Sequence, residues 1–244
     1  MREKEVHFTL PLGLTDEKGV LHRKGTMRPV TAEDELMLME ANGVKFNDRQ
    51  RDLELLARLI TELGSLKKVD SETLEELFEA DFIYLQMLFN SLNEEGTVSY
   101  ACPRCGTKNQ LNMASLFEKA GGEERKESVR FRLPHGSGLK PEMGTKVQGT
   151  MDMARCRDFI TLYRDSRTRD NPSWFYVGLM TRCVKKLGAE KSVNNSVITK
   201  LNPRDFAFLV DLFNELNNGV IRRVTDQCRC GEENRVELHL PGEV

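Results

Sequence analysis

The 244-residue chain is expected to fold as an α+β protein made by tandem duplication of one unit. Each copy is a helical body with short strands, closed by a zinc-ribbon-like cysteine-turn hairpin, and the halves are expected to be related by pseudo-twofold symmetry. Three observations lead there. Cys102-Pro103-Arg104-Cys105-Gly106 is echoed in shortened form by Cys228-Arg229-Cys230-Gly231. Residues recur in collinear order over almost the full length. Within each half, apolar residues at three- and four-residue spacing lie between segments that alternate apolar with polar.

The recurrence is dense enough to set the boundaries. Val6, Phe8, Leu10, Pro11 and Gly13 return as Val129, Phe131, Leu133, Pro134 and Gly136, 123 residues on. Thr26-Met27, Asp34, Leu38, Arg58, Leu63, Gly64 and Val69 return 124 residues on as Thr150-Met151, Asp158, Leu162, Arg182, Leu187, Gly188 and Val193. Asp81-Phe82, Leu85, Leu88-Phe89-Asn90 and Leu92-Asn93 match Asp205-Phe206, Leu209, Leu212-Phe213-Asn214 and Leu216-Asn217. Past the cysteine turns, Asn109, Leu111 and Met113 match Asn234, Val236 and Leu238 at 125. We therefore expect a first copy over 1–117, a polar linker over 118–128 and a second copy over 129–244.

Each copy is expected to run strand, loop, helices, strand, cysteine turn, strand. Val6, Phe8 and Leu10 alternate with polar residues up to Pro11, the pattern of an edge strand. Thr31 with Asp34 three residues on resembles a capping box opening a helix through Leu36, Leu38 and Met39. A second helix carries Leu53, Leu56, Leu59, Ile60 and Leu63 and stops at Gly64 as a C-cap. A third helical region shows Leu74, Leu77, Phe78, Phe82, Leu85, Leu88, Phe89 and Leu92. In the second copy, Asn171-Pro172 and Asn202-Pro203 set an N-cap before an N1 proline, starting helices at Ser173 and Arg204. Strands near Thr97 to Tyr100 and Val220 to Val224 lead into the turns, and strands over Gln110 to Met113 and Arg235 to Leu240 leave them.

With 39% hydrophobic and 30% charged residues the composition is that of a globular protein. The opening Met1-Arg2-Glu3-Lys4-Glu5 is charged, so no secretory leader is expected, and no run of about 18 apolar residues offers a membrane span. A cytoplasmic site of folding follows, where thiols stay reduced. Net charge is −2, which gives no whole-protein case for nucleic acid or membrane. The halves differ: residues 1–122 hold 15 Lys+Arg against 21 Asp+Glu, and residues 123–244 hold 21 against 17. Copies that differ in charge face different partners or each other.

The chemistry concentrates in the cysteines. A structural zinc takes four soft ligands in a tetrahedron, and tight turns supply two each. Cys102-x-x-Cys105-Gly106 has the knuckle form, whereas Cys228-x-Cys230 is one residue tighter. Neither copy has four ligands of its own, since only His239 lies beyond the second turn. Metal ligands are therefore expected at Cys102, Cys105, Cys228 and Cys230, around one structural zinc per chain that staples copy to copy. Weighed against this are a redox pair, two disulfides and two metal-free thiol pairs. Cys156 and Cys183 lie in apolar segments and are expected to be packed thiols.

No phosphate loop, His-Glu-x-x-His, Gly-x-Ser-x-Gly or carboxylate-pair signature is present, so no catalytic residue and no enzyme activity is assigned. His7 falls in a strand, His22 in a loop, His135 near a Pro-Gly turn and His239 near the end. Trp174-Phe175-Tyr176 could stack on bases, but the trio lacks basic flanks on one face, which favours packing. Arg155, Arg157, Arg164, Arg167 and Arg169 are interrupted by Asp158, Asp165 and Asp170 and describe a solvated or partner-facing surface.

Leu10-Pro11-Leu12-Gly13, the segment from Arg28 to Glu35, Asp81-Phe82 through Asn93 and Cys102 to Gly106 together resemble the baseplate hub assembly chaperones of T-even-type phage tails. Related proteins occur in phage-like contractile injection systems. The second copy carries the likeness through Leu133-Pro134-His135-Gly136, Asp205-Phe206 through Asn217 and Cys228 to Gly231. The resemblance implies a non-catalytic assembly or structural protein that binds tail hub, spike or baseplate subunits. It implies residence in the cytoplasm of a bacterial or phage-infected cell or incorporation in a tail particle; no membrane partner is expected, and nucleic acid is a disfavoured one. The competing reading is a zinc-ribbon protein that binds nucleic acid or regulates; the acidic first copy speaks against it.

Overall fold

A computed structural model describes residues 5–41, 48–93, 97–112, 127–136, 147–218 and 223–237. The chain forms two compact units: Met1–Glu124 together with Asn218–Val244, and Arg125–Asn217.

In the first unit an antiparallel sheet has the order β1 (Val6–Thr15), β2 (Leu21–Met27), β3 (Ile60–Leu63). Strand β1 is an edge strand, but it does not end at Pro11. It continues to Thr15 with an irregularity between Thr9 and Leu14. Pro11 is tolerated because the bulge takes its missing donor out of the ladder. The bulge is fixed from both sides. Arg23 donates to the carbonyls of Leu10 (2.9 Å) and Pro11 (2.8 Å), while the Asp81 carboxylate accepts the N–H groups of Leu12 and Gly13, each at 2.8 Å. Gly13 has φ 89°, a left-handed conformation that side chains resist. Thus the Leu-Pro-x-Gly opening and the Asp-Phe helix, about 70 residues apart in sequence, form one hydrogen-bonded clamp.

The stretch expected as a loop contains β2. Asp16 accepts the N–H groups of Lys18 (2.9 Å) and Val20 (2.8 Å) on its side chain and turns β1 into β2 at Gly19. His22 consequently lies in a strand rather than a loop. It is buried, with Nε2 3.2 Å from Asp16 Oδ2 and Nδ1 accepting the Ser65 N–H at 3.3 Å. The expected second helix also changes type midway. It runs Asp48–Leu59, after which Ile60 and Leu63 belong to β3, paired to Met27 and Gly25. Gly64 (φ 57°) closes a strand, not a helix, and its N–H reaches Lys24 O at 2.7 Å. Strand pairing wins there because Ile60 and Leu63 then bury under the sheet's helical cover while Thr61 and Glu62 remain exposed.

Helix Ala32–Ala41 starts at the expected capping box: Thr31 N–H donates to Asp34 Oδ2 (3.0 Å), and the Asp34 N–H is 3.3 Å from Thr31 Oγ1. The third helical region divides into Ser71–Glu75, capped by Asp70, and Glu79–Asn93. Leu53, Leu59, Leu74, Leu77, Phe82 and Leu85 are fully buried between these helices and the sheet.

The second unit has the same plan. Its sheet has the order β6 (Ser128–Arg132), β7 (Gln148–Asp152), β8 (Val184–Leu187), with a register shift between Thr150 and Met151 where β2 has one between Thr26 and Met27. Phe8 lies over Gly25 and Phe131 over Gly149: a Cβ on either glycine would come within 2.4 or 2.3 Å of the ring. Gly188 (φ 56°) donates to Gln148 O at 2.7 Å, as Gly64 does to Lys24 O. Helices Cys156–Arg164, Ser166–Asp170, Ser173–Cys183, Asn195–Ile198 and Pro203–Asn218 follow. Asn171 and Asn202 accept the N–H groups of Ser173 (3.0 Å) and Arg204 (2.9 Å), as their Asn-Pro signatures predict. The core gathers Leu133, Met151, Leu162, Leu179, Leu209 and Phe213.

Candidate metal centre

Two hairpins build the centre, and both lie in the first unit. One pairs β4 (Thr97–Ala101) with β5 (Lys108–Asn112); the other pairs β9 (Arg223–Gln227) with β10 (Glu233–Glu237). Val220, Met113 and Leu238 to Leu240, expected in these strands, lie outside the described residues, as does His239. The turns match despite their different lengths. In the first, Cys102 N–H donates to Thr107 O (2.9 Å) and Gly106 N–H to Cys102 O (2.8 Å). In the second, Cys228 N–H donates to Glu232 O (2.9 Å) and Gly231 N–H to Cys228 O (2.8 Å). The missing residue is absorbed inside the loop, and the two closing bonds and the left-handed glycine (φ 71° and 87°) are kept.

Those turns bring all four expected ligands together: the sulfurs of Cys102, Cys105, Cys228 and Cys230 lie within 4.8 Å of one another, close enough to hold a metal ion. Cys102 Sγ is 3.8 Å from Cys230 Sγ, and Cys105 Sγ is 3.7 Å from Cys228 Sγ. A tetrahedron with metal–sulfur bonds of about 2.3 Å has edges of about 3.8 Å. Disulfides need about 2.05 Å, and all six cysteines are free. Cys102 and Cys228 are buried, whereas Cys105 and Cys230 face solvent.

Surrounding groups favour thiolates unequally. Hydrogen bonding to Thr107, whose Oγ1 is 3.2 Å from the sulfur, lowers the Cys105 thiol to about 6. Burial opposes ionisation of Cys102, but the backbone N–H groups of Cys105 and Arg104 outweigh it and hold that thiol below its ordinary value. The Glu232 N–H favours ionised Cys230, yet burial and hydrogen bonds with the neighbouring thiols push it up to about 11. Four sulfurs this close do not all ionise without a cation among them, and a cation is what this donor set suits.

Cross-hairpin contacts frame the sulfurs. Asn109 Nδ2 is 3.5 Å from Cys228 Sγ. Tyr100 donates its hydroxyl proton to Asp226, which pushes the phenol up to about 12. Arg104 and Glu232 pair at 3.3 Å. Asn109 was visible in the repeat; Tyr100, Asp226 and Thr107 carried no sequence signal, because their roles depend on which hairpin meets which.

The remaining residues that the sequence singles out lie elsewhere. Cys156 and Cys183 are packed thiols at 0% and 1% exposure, and burial pushes Cys183 up to about 12. His7 is in β1 with Nδ1 3.1 Å from Thr26 Oγ1, and the His135 N–H donates to Asp205 at 2.8 Å. Phe175 packs against Phe159 and Tyr163, with centroids 5.9 and 5.1 Å apart, and Arg167 lies over Trp174. Arg157, Arg164 and Arg167 are exposed.

Among the described residues, no helix is long and apolar enough to cross a membrane. No curated protein and no solved structure matches the chain. The model of a protein family described as T4 bacteriophage base plate protein matches residues 3–241, spanning both units and all four clustered cysteines. The resemblance carried by the Leu-Pro-x-Gly, Asp-Phe and cysteine-turn motifs is thus matched along nearly the entire length, and the chain belongs to the T4 bacteriophage base plate protein family.

Proposed function

We propose that the protein is a non-catalytic assembly or structural component of a contractile, phage-like tail that binds hub or baseplate subunits. One structural zinc is held by the thiolates of Cys102, Cys105, Cys228 and Cys230. The observation that carries the metal assignment is the convergence of four sulfurs from two hairpins, with edges of 3.7 and 3.8 Å. All-thiolate tetrahedral sets suit zinc. Four thiolates fill a tetrahedron and leave no open position for substrate or water, so the metal's work is architectural. Structural zinc contributes on the order of 10 kcal/mol in small domains.

We also infer a tandem duplication with copies over 1–117 and 129–244, joined by 118–128 and related by a pseudo-twofold axis. Its support is the paired bulges, the paired Phe-over-Gly contacts and the equal turns at Gly64 and Gly188. Folding in the cytoplasm of a bacterial or phage-infected cell would keep the thiols reduced for metal. A chaperone that departs and a subunit that stays in the particle are both consistent with this chemistry.

Metal content of natively purified protein tests the site. One zinc per chain is expected, and Cys105→Ser or Cys230→Ser alone should loosen both hairpins. Two zincs per chain, or loosening of the substituted hairpin only, would refute shared coordination. Co-purification with tail subunits tests the assembly role; pull-downs free of tail proteins would end it. A nucleic-acid reading draws on the second unit, with 17 Lys+Arg against 10 Asp+Glu. It requires salt-dependent DNA or RNA binding.

A further inference from the structure

Helix Ala32–Ala41 of the first unit exposes large apolar side chains: Leu36 (59%), Met37 (47%) and Met39 (66%). Its counterpart 124 residues on, Cys156–Arg164, is covered in part, with Tyr163 still 42% exposed. Ile160, at the position of Leu36, is 2% exposed, and Tyr163, at the position of Met39, stacks on Phe175. Phe175 belongs to Trp174-Phe175-Tyr176 on helix Ser173–Cys183. The same offset gives Gln50-Arg51-Asp52 on helix Asp48–Leu59. The second unit therefore carries its own aromatic cover, and the first has a polar trio in that place.

A second difference lies beside the apolar ridge. Arg28, Thr31, Glu33, Asp34, Met37 and Arg58 line one cleft. The Asp34 carboxylate is taken by Arg28 through two bonds of 2.7 Å. Arg58 rests its Nη1 on Met37 Sδ at 3.4 Å, while its buried Nε has no hydrogen-bond partner and Arg58 forms no ion pair among the described residues. In the second unit the residue matching Arg28 is Asp152, and Arg182, matching Arg58, has its Nε 3.9 Å from Asp158. The buried Nε is out of reach from outside, but the Nη1 end, exposed beside Met37, is open to an incoming carboxylate.

We propose that helix Ala32–Ala41 and Arg58 form a docking surface for a segment of another baseplate subunit. That segment lays an aromatic side chain across Leu36 and Met39 and a carboxylate on Arg58. Methionine adapts to an incoming ring, and methionine, arginine and aromatic residues are the groups enriched at interface cores. A second copy of this chain is the poorer occupant: its exposed aromatics among the described residues, Tyr163 and Tyr176, both pack on Phe175. The proposal rests on the duplication and baseplate readings above.

The test is a photo-crosslinking benzoylphenylalanine at Met39 of the full chain, co-expressed with the other baseplate subunits of its tail. The same probe at Thr161 is the control. Crosslinking at 39 and not at 161, to one baseplate subunit and within a peptide holding an aromatic residue and an Asp or Glu, is the expected result. Leu36→Asp and Arg58→Ala should each lower co-purification of that subunit at least tenfold, with zinc content and thermal melting unchanged. Crosslinks to a second copy or within the chain, or none at all, overturn the docking surface if unsubstituted protein still retrieves baseplate subunits. If it retrieves none, the baseplate reading falls, and the docking proposal with it.

Discussion

Asp81 and Asp205 occupy matching positions, yet Asn in their place should act very differently. Asp81 is fully buried, and each carboxylate oxygen accepts one backbone N–H at 2.8 Å, from Leu12 and Gly13. Asn offers one acceptor, so one N–H would face an NH2 group. A hydrogen bond to a charged group contributes about 1.5–3 kcal/mol, and an unmet buried donor costs about 1–3 kcal/mol. These overlap, which gives about 2–4 kcal/mol for Asp81→Asn. Asp205 accepts only the His135 N–H, at 2.8 Å, and its Oδ2 has no hydrogen-bond partner among the described residues. Asp205→Asn keeps the His135 bond on its one amide oxygen and exchanges a buried unpaired oxygen for a buried unpaired NH2 group, one unmet polar group for another, so its cost should be about 1 kcal/mol or less. Urea unfolding separates the units, because Trp174 is the one tryptophan and reports the second. With a urea dependence of about 2 kcal/mol per molar, Asp81→Asn should lower the circular-dichroism midpoint of the first unit by about 1–2 M. Trp174 fluorescence should hold in that variant and move by under about 0.5 M in Asp205→Asn. Equal shifts for the two substitutions would defeat the reasoning.

In metal-stripped, reduced protein at pH 7, iodoacetamide should label Cys105, whose thiol lies near about 6, well before Cys183 at about 12; similar native-state rates would contradict this. Asp34 is held well below its ordinary 3.8, chiefly by Arg28 and then by Thr31 despite burial. That stabilisation is complete above about pH 4 and is lost as pH falls through the folded-state value, so Asp34→Asn should flatten the acid limb of first-unit stability; an unchanged limb would count against the pair. Gly25→Ala should cost over about 3 kcal/mol by denaturation, since its Cβ would meet Phe8 Cζ at 2.4 Å and Glu62 O at 2.5 Å. Gly106→Ala, with nothing within 4 Å, should cost only about 1 kcal/mol for its left-handed φ, and comparable losses would show that crowding is misjudged. Unfolding the second unit with Leu209→Ala and Phe213→Ala lengthens the link between the cysteine turns to about 120 residues. By loop-closure entropy, relative to a link of about 20 residues, zinc affinity should fall only about fifteenfold; complete loss of zinc would mean that the site needs the second unit folded.

What the sequence made legible is what local chemistry decides. The Thr31–Asp34 box and the two Asn-Pro caps lie where their short-range hydrogen bonds dictate. The cysteine turns were legible because each pairs a tight loop with a left-handed glycine. The inner strands were not. Strand β3 has four residues and continues an apolar helical stripe, so Ile60 and Leu63 fit either period until Met27 and Gly25 offer a ladder. Strand β2 reads as polar because the adjacent Arg23 and Lys24 lie between a buried histidine and a glycine under Phe8, which breaks the apolar alternation. In the same way, the tie between Gly13 and Asp81 is a tertiary fact that motif spacing does not encode.

The repeat and the contacts also divide the chain differently, and the hairpins explain why. An isolated two-stranded hairpin is marginal in water, and each here offers two sulfurs where a tetrahedral metal takes four. Neither can complete a four-sulfur site by itself. Together they bury Leu111 and Val236, join Tyr100 to Asp226 and bring four sulfurs into reach of one ion. The second hairpin, although it follows Arg125–Asn217 in sequence, therefore closes in the first unit. On the duplication reading, a single copy could fill its metal site only by recruiting another chain. Fusing the copies replaces that encounter with an intramolecular one, at an effective concentration on the order of millimolar. The shortened Cys228-Arg229-Cys230 turn fits that account, because once the hairpins are tethered the second turn need only present its two sulfurs, and the turn keeps both closing hydrogen bonds while doing so.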